Sequence, residues 1–188
     1  ECKIITSDKL RMINKKPMTK IINGRALAEK IKDEIVKEAG AICHAASLRN
    51  GPRPNLAIIL VGNREDSELY VSLKEKEAKK VGIDTHLYKL TEKCAEAELL
   101  EVIDYLNNDD SIDGILIQLP LPAPINTDKI IKAMNPGKDV DGFHPDNLKI
   151  LLSSCDHEQA IPPVIKVVLK ILASVNFNLA GKQVCVVA

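Results

Sequence analysis

The sequence predicts an α/β fold, a three-layer arrangement in which a mostly parallel sheet is flanked by helices. Helical and strand periodicities alternate along the chain from Gly24 onward, which is typical of α/β layers. The strand candidates are short apolar runs, as expected for strands that are buried on both faces. Hydrophobic residues make up 45% of the 188 residues and charged residues 28%, so we expect a folded globular chain with a packed core.

Three short apolar runs, bounded by glycine, proline or polar residues, predict the strands of the sheet. They are residues 56–61, 83–90 and 115–119. Pro120 and Pro122 end the third run because proline cannot donate a hydrogen bond to a neighbouring strand. Residues 183–188 predict a further strand, which we expect to begin a second, Rossmann-like domain that is truncated.

Apolar residues at three- and four-residue spacing predict helices between these strands. We expect Asp66 or Ser67 to cap the helix after the first strand, and Gly82 to end that helix at Val81. A polar loop is expected after the fourth helix, through His144. The predicted helices are 25–48, 66–81, 95–106, 127–134 and 164–174.

The boundary between the two predicted domains lies near Ala180-Gly181-Lys182. Residues 21–180 are expected to form the first domain, and residues 181–188 the start of the second. The expectation of a second domain arises because the chain stops within an apolar strand, where a natural terminus is unusual.

Charge and composition exclude several functional classes. The 26 basic residues balance the 26 acidic ones and form no stripe with aromatic residues, so nucleic acid is not an expected partner. No apolar run approaches the roughly 20 residues of a membrane span. The cysteines are scattered and form no CxxC pair, so we expect free thiols in a reducing compartment and no metal site. We expect a cytoplasmic protein, although the basic residues within 1–20 keep mitochondrial import open.

Three weak chemical signals fall at one edge of the predicted sheet. Tyr70 and Lys74 are four residues apart on a helix, so a phenol and an amine lie on one face. Gln118 stands near the end of a strand, where ligands of α/β sheets collect. Asp139 and Asp141 lie in a loop. Each signal alone is more often structural, as a half-buried ring, a strand-end amide or a turn-forming carboxylate; their convergence favours a site.

Three longer blocks of sequence give these residues a common context. The chain resembles the methylenetetrahydrofolate dehydrogenase/methenyltetrahydrofolate cyclohydrolase family from about Ile21 to its end. The resemblance is carried by three blocks in the family's order: Val61-Gly-Asn-Arg-Glu-Asp-Ser-Glu-Leu-Tyr-Val-Ser-Leu-Lys74, Asp113-Gly-Ile-Leu-Ile-Gln-Leu-Pro-Leu-Pro122 and Pro136-Gly-Lys-Asp-Val-Asp-Gly-Phe-His-Pro145.

The resemblance implies a folate-binding catalytic domain over 21–180 and an enzyme of one-carbon metabolism that interconverts methylene-, methenyl- and 10-formyl-tetrahydrofolate. It implies that Lys74 is the general acid/base, that Gln118 hydrogen-bonds Lys74, that Tyr70 packs beside the pterin and that Asp141 recognises its amino-pyrimidine edge. The substrate-binding residues that it implies are Tyr70, Val71, Ser72, Leu73, Lys74, Ile117, Gln118, Leu119 and Asp141. NADP or NAD is expected to bind the truncated domain, and the full-length protein is expected to be a homodimer.

The sequence also departs from the family, which leaves two other hypotheses open. Asn147-Leu-Lys149 replaces the family's Asn-x-Gly, and 162–167 differ from its Pro-Cys-Thr-Pro segment. A folate-binding or interaction module that has lost catalysis is therefore an alternative. A short-chain dehydrogenase also has Tyr-x-x-x-Lys, but it needs a glycine-rich phosphate loop, and 61–65 contain one glycine only. Without such a loop the chain alone is not expected to perform the dehydrogenase step.

Overall fold

The computed structural model describes residues 21–45, 53–153 and 161–183. Within these ranges three strands and six helices form the fold. The strands are β1 (Asn55–Val61), β2 (Asp84–Leu90) and β3 (Gly114–Ile117); the helices are α1 (Gly24–Ala45), α2 (Glu65–Lys80), α3 (Glu96–Asn108), α4 (Thr127–Ala133), α5 (Pro145–Ser153) and α6 (Pro163–Ser174). The strand predicted over 183–188 lies, beyond Gln183, outside the described residues.

The three strands form one parallel sheet in which β1 is the central strand. The strand order is β2-β1-β3, and Ile59 of β1 lies opposite Tyr88 of β2 and Ile117 of β3. Parallel neighbours need a crossover connection, and α2 and α3 supply the two crossovers. The predicted parallel α/β sheet is confirmed.

Both faces of β1 are buried, which explains its uninterrupted apolar sequence. Successive side chains of a strand point to opposite faces. Ala57, Ile59 and Val61 pack on one face against a cluster from α3 and α4 that includes Leu99, Ile103 and Ile130. Ile58 and Leu60 pack on the other face with Val71 of α2 and Leu116 of β3. Helices therefore cover both sides of the sheet, as the predicted three layers require.

The strand order places a topological switch point between β1 and β3. The chain leaves β1 through α2 toward β2, then returns through α3, on the opposite face, to β3. Crossovers that diverge in this way open a crevice beyond the carboxyl ends of the two strands. Gln118 follows β3 directly at this crevice, and its backbone N–H donates to the carbonyl of Ile59 over 2.9 Å.

The start of α2 differs from the prediction. The helix begins at Glu65, and its N-cap residue, Arg64, makes no side-chain cap. The carboxylate of Asp66 instead pairs with the Arg64 guanidinium at 2.7 Å and accepts the N–H of Ser67 at 2.9 Å. The prediction that Asp66 or Ser67 caps the helix is thus wrong. The acidic first turn stabilises the helix through its dipole rather than through a cap.

One strand end and one additional helix also differ from the sequence prediction. The third strand ends at Ile117 and not at 119, although Gln118 still donates one hydrogen bond to β1. The helix α5 was not predicted at all. It begins at Pro145, and proline is favoured in the first turn of a helix because its fixed φ matches the helical value and its missing N–H has no partner there.

Helix α2 also carries the link to α1, through the carboxylate of Glu77. Lys32 of α1 and Lys80 of α2 both bind this carboxylate. Their hydrogen bonds, that of Lys32 first, lower the pKa of Glu77 to about 2. Ion pairs between partly exposed side chains contribute little to stability, so we expect this link between α1 and α2 to be weak.

Close approach of a loop to β3 requires glycine at position 114. A Cβ atom placed on Gly114 would lie 2.6 Å from Cγ1 of Val140. The approach is fixed by the backbone, because the Ile115 N–H donates to the carbonyl of Lys138 at 2.7 Å. Residues 138–140 thus lie along β3, with one parallel bridge between Ile115 and Asp139.

We predict that Gly114→Ala destabilises the fold by about 1–3 kcal/mol, the usual range for overpacking a buried position. Urea unfolding followed by circular dichroism measures the change. Gly40→Ala is the matched control, since an added Cβ there meets nothing within 4 Å. The explanation also requires that Val140→Ala, which removes Cγ1, restores part of the lost stability; a double variant no more stable than Gly114→Ala would contradict it.

Candidate functional site

A lysine and a glutamine meet at the crevice between β1 and β3. Nζ of Lys74, on α2, donates to Oε1 of Gln118 at 3.0 Å. Nε2 of Gln118 donates in turn to its neighbour's carbonyl, that of Leu119, at 3.1 Å. The hydrogen bond from Nε2 fixes the orientation of the Gln118 amide, so that its oxygen points toward the amine of Lys74. Both side chains are partly buried, so the amine is held at a defined position beside the open end of the sheet.

Tyr70 lies one helical turn before Lys74 and therefore on the same side of α2. Its side chain is 60% exposed, so the ring is not packed against the sheet. An exposed ring next to an ordered amine offers a flat apolar surface on which a planar ligand can stack.

Asp139 organises the loop that follows α4. The residue is 7% exposed and its carboxylate accepts four hydrogen bonds. Oδ1 accepts the backbone N–H groups of Asp141 at 3.2 Å and Gly142 at 3.0 Å. Oδ2 accepts the N–H of His144 at 2.8 Å and Nδ2 of Asn147 at 3.0 Å. The loop is therefore folded around a buried carboxylate.

His144 and Asn147, which were not predicted as site residues, are also parts of this arrangement. Both are buried, and Asn147 also donates to the carbonyl of Pro136 at 3.0 Å. The imidazole accepts the N–H of Asp146 through Nδ1 at 3.1 Å, and Nε2 lies 3.3 Å from the carbonyl of Lys132. The three-residue spacing of His144 and Asn147 across the start of α5 could have indicated that both side chains face the same loop. It could not be used because α5 was not predicted.

Asp141 differs from Asp139 in having no partner for its carboxylate among the described residues. Burial raises the pKa of the Asp141 carboxyl; the positive charge of Lys74 opposes this shift, and the carboxylate of Asp139 adds to it. The influence of Lys74 places the two groups in one electrostatic environment. Asp141 also lines a small cavity, of about 10 Å³, together with Leu119, the neighbour of Gln118. An unpaired, half-buried carboxylate at a crevice is a candidate ligand group.

The other predicted substrate-binding residues divide into buried and exposed positions. The side chain of Val71 is 2% exposed and packs in the core beneath α2, so it faces away from the crevice. Ile117 is also a core residue, although it lines the same small cavity as Asp141. Ser72 and Leu73 are exposed on α2, and the Ser72 hydroxyl donates to the carbonyl of Leu69 at 2.9 Å. Leu119 is half-buried.

A cleft of about 420 Å³ opens beside the carboxyl end of β1. The turn after β1, residues 61–64, forms one wall, and the proline-containing segment 120–123 forms another, with Glu92 between them. The segment that follows Gln118 thus borders open space rather than core. A cleft of this volume is within the usual range for small-molecule sites.

The turn between β1 and α2 does not fit a dinucleotide. It contains one glycine, Gly62, and the first turn of α2 carries the carboxylates of Glu65, Asp66 and Glu68. A pyrophosphate binds a helix N-terminus through free N–H groups and a positive dipole, and three carboxylates there repel it. The described residues also contain no group of His, Cys, Asp and Glu arranged to hold a metal ion. Nor do they include a helix long and apolar enough to span a membrane.

Fold and site together define an α/β domain with a small-molecule crevice at its switch point and an amide-held lysine beside it. The chain belongs to the tetrahydrofolate dehydrogenase/cyclohydrolase family, whose catalytic-domain model matches residues 22–141. The family resemblance seen in the three sequence blocks is thereby confirmed.

Relatives of known name agree with this assignment. The chain is 44% identical over 171 residues to the bifunctional protein FolD of Geotalea daltonii, covering 90% of this chain and 58% of the relative. It is 41% identical over 167 residues to that of Helicobacter hepaticus, covering 89% and 56%. The chain therefore spans somewhat more than half the length of the curated relatives it matches.

Solved structures show the same similarity. The bifunctional FolD methylenetetrahydrofolate dehydrogenase/cyclohydrolase of Campylobacter jejuni superposes with a TM-score of 0.76 at 38% identity, over 83% of this chain and 53% of that one. The Trypanosoma brucei methylenetetrahydrofolate dehydrogenase-cyclohydrolase, solved with NADP and an inhibitor, gives a TM-score of 0.81 at 29% identity, over 89% and 55%.

We predict that Asp141→Asn stabilises the fold near neutral pH. Because the pKa of Asp141 is raised in the folded state, ionisation costs folding free energy as pH rises through the carboxyl range; at acid pH both states hold the proton and the cost vanishes. Urea unfolding at about pH 3 and about pH 7 should show the gain only at the higher pH. Asp110→Asn, in an exposed turn, is the control. An equal effect of Asp141→Asn at both pH values would disprove the ionisation effect.

Proposed function

We propose that this chain binds a reduced folate in the crevice between β1 and β3 and hydrolyses its methenyl form, as part of the interconversion of methylene-, methenyl- and 10-formyl-tetrahydrofolate. The observation that carries the proposal is the 3.0 Å hydrogen bond between Lys74 and Gln118 at the topological switch point. It gives the crevice an ordered proton-transfer group, and the family relationship supplies the substrate.

Cyclohydrolysis requires a proton to leave one atom and reach another. Water adds to the methenyl carbon, which lies between two nitrogens of an amidinium cation, and gives up a proton to the Lys74 amine. The bond from that carbon to the ring nitrogen then breaks, and the same lysine returns the proton to the departing nitrogen, while the hydroxyl group on the carbon loses its proton to solvent and becomes the formyl C=O. The product is the 10-formyl compound. Gln118 accepts one N–H of Lys74 and so keeps Nζ in place through both transfers.

Asp141 and Tyr70 supply binding rather than proton transfer. The amino-pyrimidine edge of a pterin presents N–H donors, and an unpaired carboxylate is the complementary acceptor. The exposed Tyr70 ring provides a stacking surface for the flat pterin. In this proposal the half-buried carboxylate of Asp141 is retained at a cost to stability because the substrate completes its hydrogen bonding.

Hydride transfer would need NADP or NAD, and we propose that residues other than those described here bind it. The acidic turn between β1 and α2 does not fit the pyrophosphate, so we assign no dehydrogenase step to the described residues. The cofactor would supply the hydride acceptor. We propose a homodimer, as the family resemblance implies, and a reducing, cytoplasmic compartment, which suits the buried free thiol of Cys94.

A module without catalysis is the competing function, suggested by the departures at 147–149 and 162–167. Lys149 pairs with Asp146 at 2.8 Å on the exposed side of α5, and its side chain is 76% exposed. Pro162 and Pro163 start α6, whose residues in this segment are mostly exposed. Neither change alters the contact between Lys74 and Gln118, so we favour the enzyme.

We predict that Lys74→Met lowers hydrolysis of methenyltetrahydrofolate by about 10²- to 10⁴-fold, the usual contribution of a general acid/base. Methionine keeps most of the apolar stem and removes only the amine, so folding and folate affinity should change far less than turnover. Loss of absorbance of the methenyl substrate, corrected for the uncatalysed reaction, measures the rate, and circular dichroism reports folding.

Lys76→Met is the matched control for this experiment, because Lys76 is exposed on the same helix. It should hydrolyse the substrate at the wild-type rate. A folded Lys74→Met protein with near wild-type turnover would remove Lys74 from the mechanism, and a wild-type chain that binds folate without turnover would favour the non-catalytic module.

We also predict that the 188-residue chain shows no saturable binding of NADP at concentrations where it binds folic acid. The reason is the repulsion between the cofactor's phosphates and the acidic first turn of α2. Isothermal titration calorimetry with each ligand in turn makes the comparison on one sample. Saturable heat from NADP would show that some part of this chain forms a nucleotide site.

A further inference from the structure

We propose that Asp139, through Asn147, is a positioning residue for folate binding, which it supports by holding Asp141 in the orientation that the substrate requires. The inference rests on the proposed function, because it deepens the role given there to Asp141. Neither Asp139 nor Asn147 contacts the folate in this proposal, and both act through the loop that they organise.

The geometry gives each oxygen of Asp139 a separate task. Oδ1 accepts the N–H groups of Asp141 and Gly142, and so fixes the backbone from which the Asp141 side chain projects. Oδ2 accepts the N–H of His144 and Nδ2 of Asn147, and so ties the far end of the loop to the first turn of α5. The loop is fixed at both ends by one side chain.

Asn147 anchors this carboxylate to the rest of the fold. Its Nδ2 group donates both to Asp139, at 3.0 Å, and to the carbonyl of Pro136, at 3.0 Å. An amide group has two N–H donors, and both are used here. Pro136 lies two residues before the segment 138–140, which runs along β3. Asn147 therefore links the loop that carries Asp141 to the sheet that also positions Gln118.

The two carboxylates of the loop, two residues apart, differ in their hydrogen bonding and so can have different roles. Asp139 is fully satisfied by N–H donors, and none of the described cations pairs with it. Asp141 remains without a partner, and the negative charge of its neighbour favours donors from a ligand. A neutral side chain at 139 could not accept four hydrogen bonds, because an amide has a single acceptor oxygen.

The test is a double-mutant cycle on folic acid binding, measured by calorimetry. Asp139→Asn keeps the shape of the side chain but turns one oxygen into an N–H donor, which in either orientation of the amide faces two of the four N–H groups that Asp139 accepts. We expect it to weaken binding about ten-fold in the wild-type background, and by less than about two-fold in the Asp141→Ala background, where there is no carboxylate left to position. Asp110→Asn, in an exposed turn, should leave the affinity unchanged.

A purely structural role gives a different pattern. If Asp139→Asn weakened binding by the same factor in both backgrounds, or if the folded variant bound like the wild type, the proposal would be overturned. Asn147→Ala, which removes one donor to Asp139, is the milder second variant. If Asp139→Asn does not fold, the same cycle with Asn147→Ala decides the question in the same two ways.

Failure of the proposed function can be told apart from failure of this inference. If the wild-type chain binds no folic acid, the proposed function fails, and the positioning is then measured without ligand by the carboxyl ¹³C resonance of Asp141 during a pH titration. Asn147→Ala should shift the midpoint of that titration because the loop around Asp141 rearranges. An unchanged midpoint in the folded variant would overturn the positioning role as well.

Discussion

Burial of β1 on both faces is the constraint on which the rest of the structure depends. Ala57, Ile58 and Ile59 are completely buried, and each pairs across the sheet with a parallel neighbour. A strand of this kind needs one helix above and another below, so α2 and α3 must leave the sheet on opposite sides. The crevice between β1 and β3 follows from that requirement, so it depends on the packing of the apolar strands and helices and not on the polar residues that line it.

The polar groups of the site stand where regular pairing stops. Gln118 donates one backbone hydrogen bond to β1 and then turns away, so its side chain is free to bind the next polar group in reach, which is Lys74. The loop that carries Asp141 is joined to β3 through the backbone of Ile115 and the close contact at Gly114. The scaffold is apolar, and the polar groups of the candidate site lie at its open edge.

Much of this arrangement was predictable from the sequence because it depends on periodicity. The apolar run of β1 and the spacing of Leu99, Ile103 and Leu106 follow directly from burial, and the structure confirms the elements that contain them. The four-residue spacing of Tyr70 and Lys74 likewise predicts their common face. Periodicity could not predict the hydrogen bonds within the loop. Asp139 and Asp141 are the same residue type two positions apart, and they differ in which N–H groups surround them.

The same limit explains the errors at the helix ends. Asp66 is a favoured capping residue, yet it pairs with Arg64 two positions earlier, since a guanidinium offers a stronger hydrogen bond than a backbone N–H. The start of α5 depends on His144 and Asn147, which have partners in other segments of the chain, Lys132 and Asp139, besides the local bond from the Asp146 N–H to His144. Local preference could not show either result, because a distant or charged partner decides both.

In the proposed function the crevice receives a cationic substrate. The methenyl form of the proposed substrate carries a positive charge, and a second fixed positive charge beside it would repel it. The site holds one amine, Lys74, and one carboxylate without a partner, Asp141, whose charges act on each other. In the proposed mechanism the amine of Lys74 accepts a proton from the attacking water. In the same proposal the Asp141 carboxylate binds the pterin edge, so binding of the substrate and proton transfer are assigned to two different groups that lie close enough for their charges to act on each other.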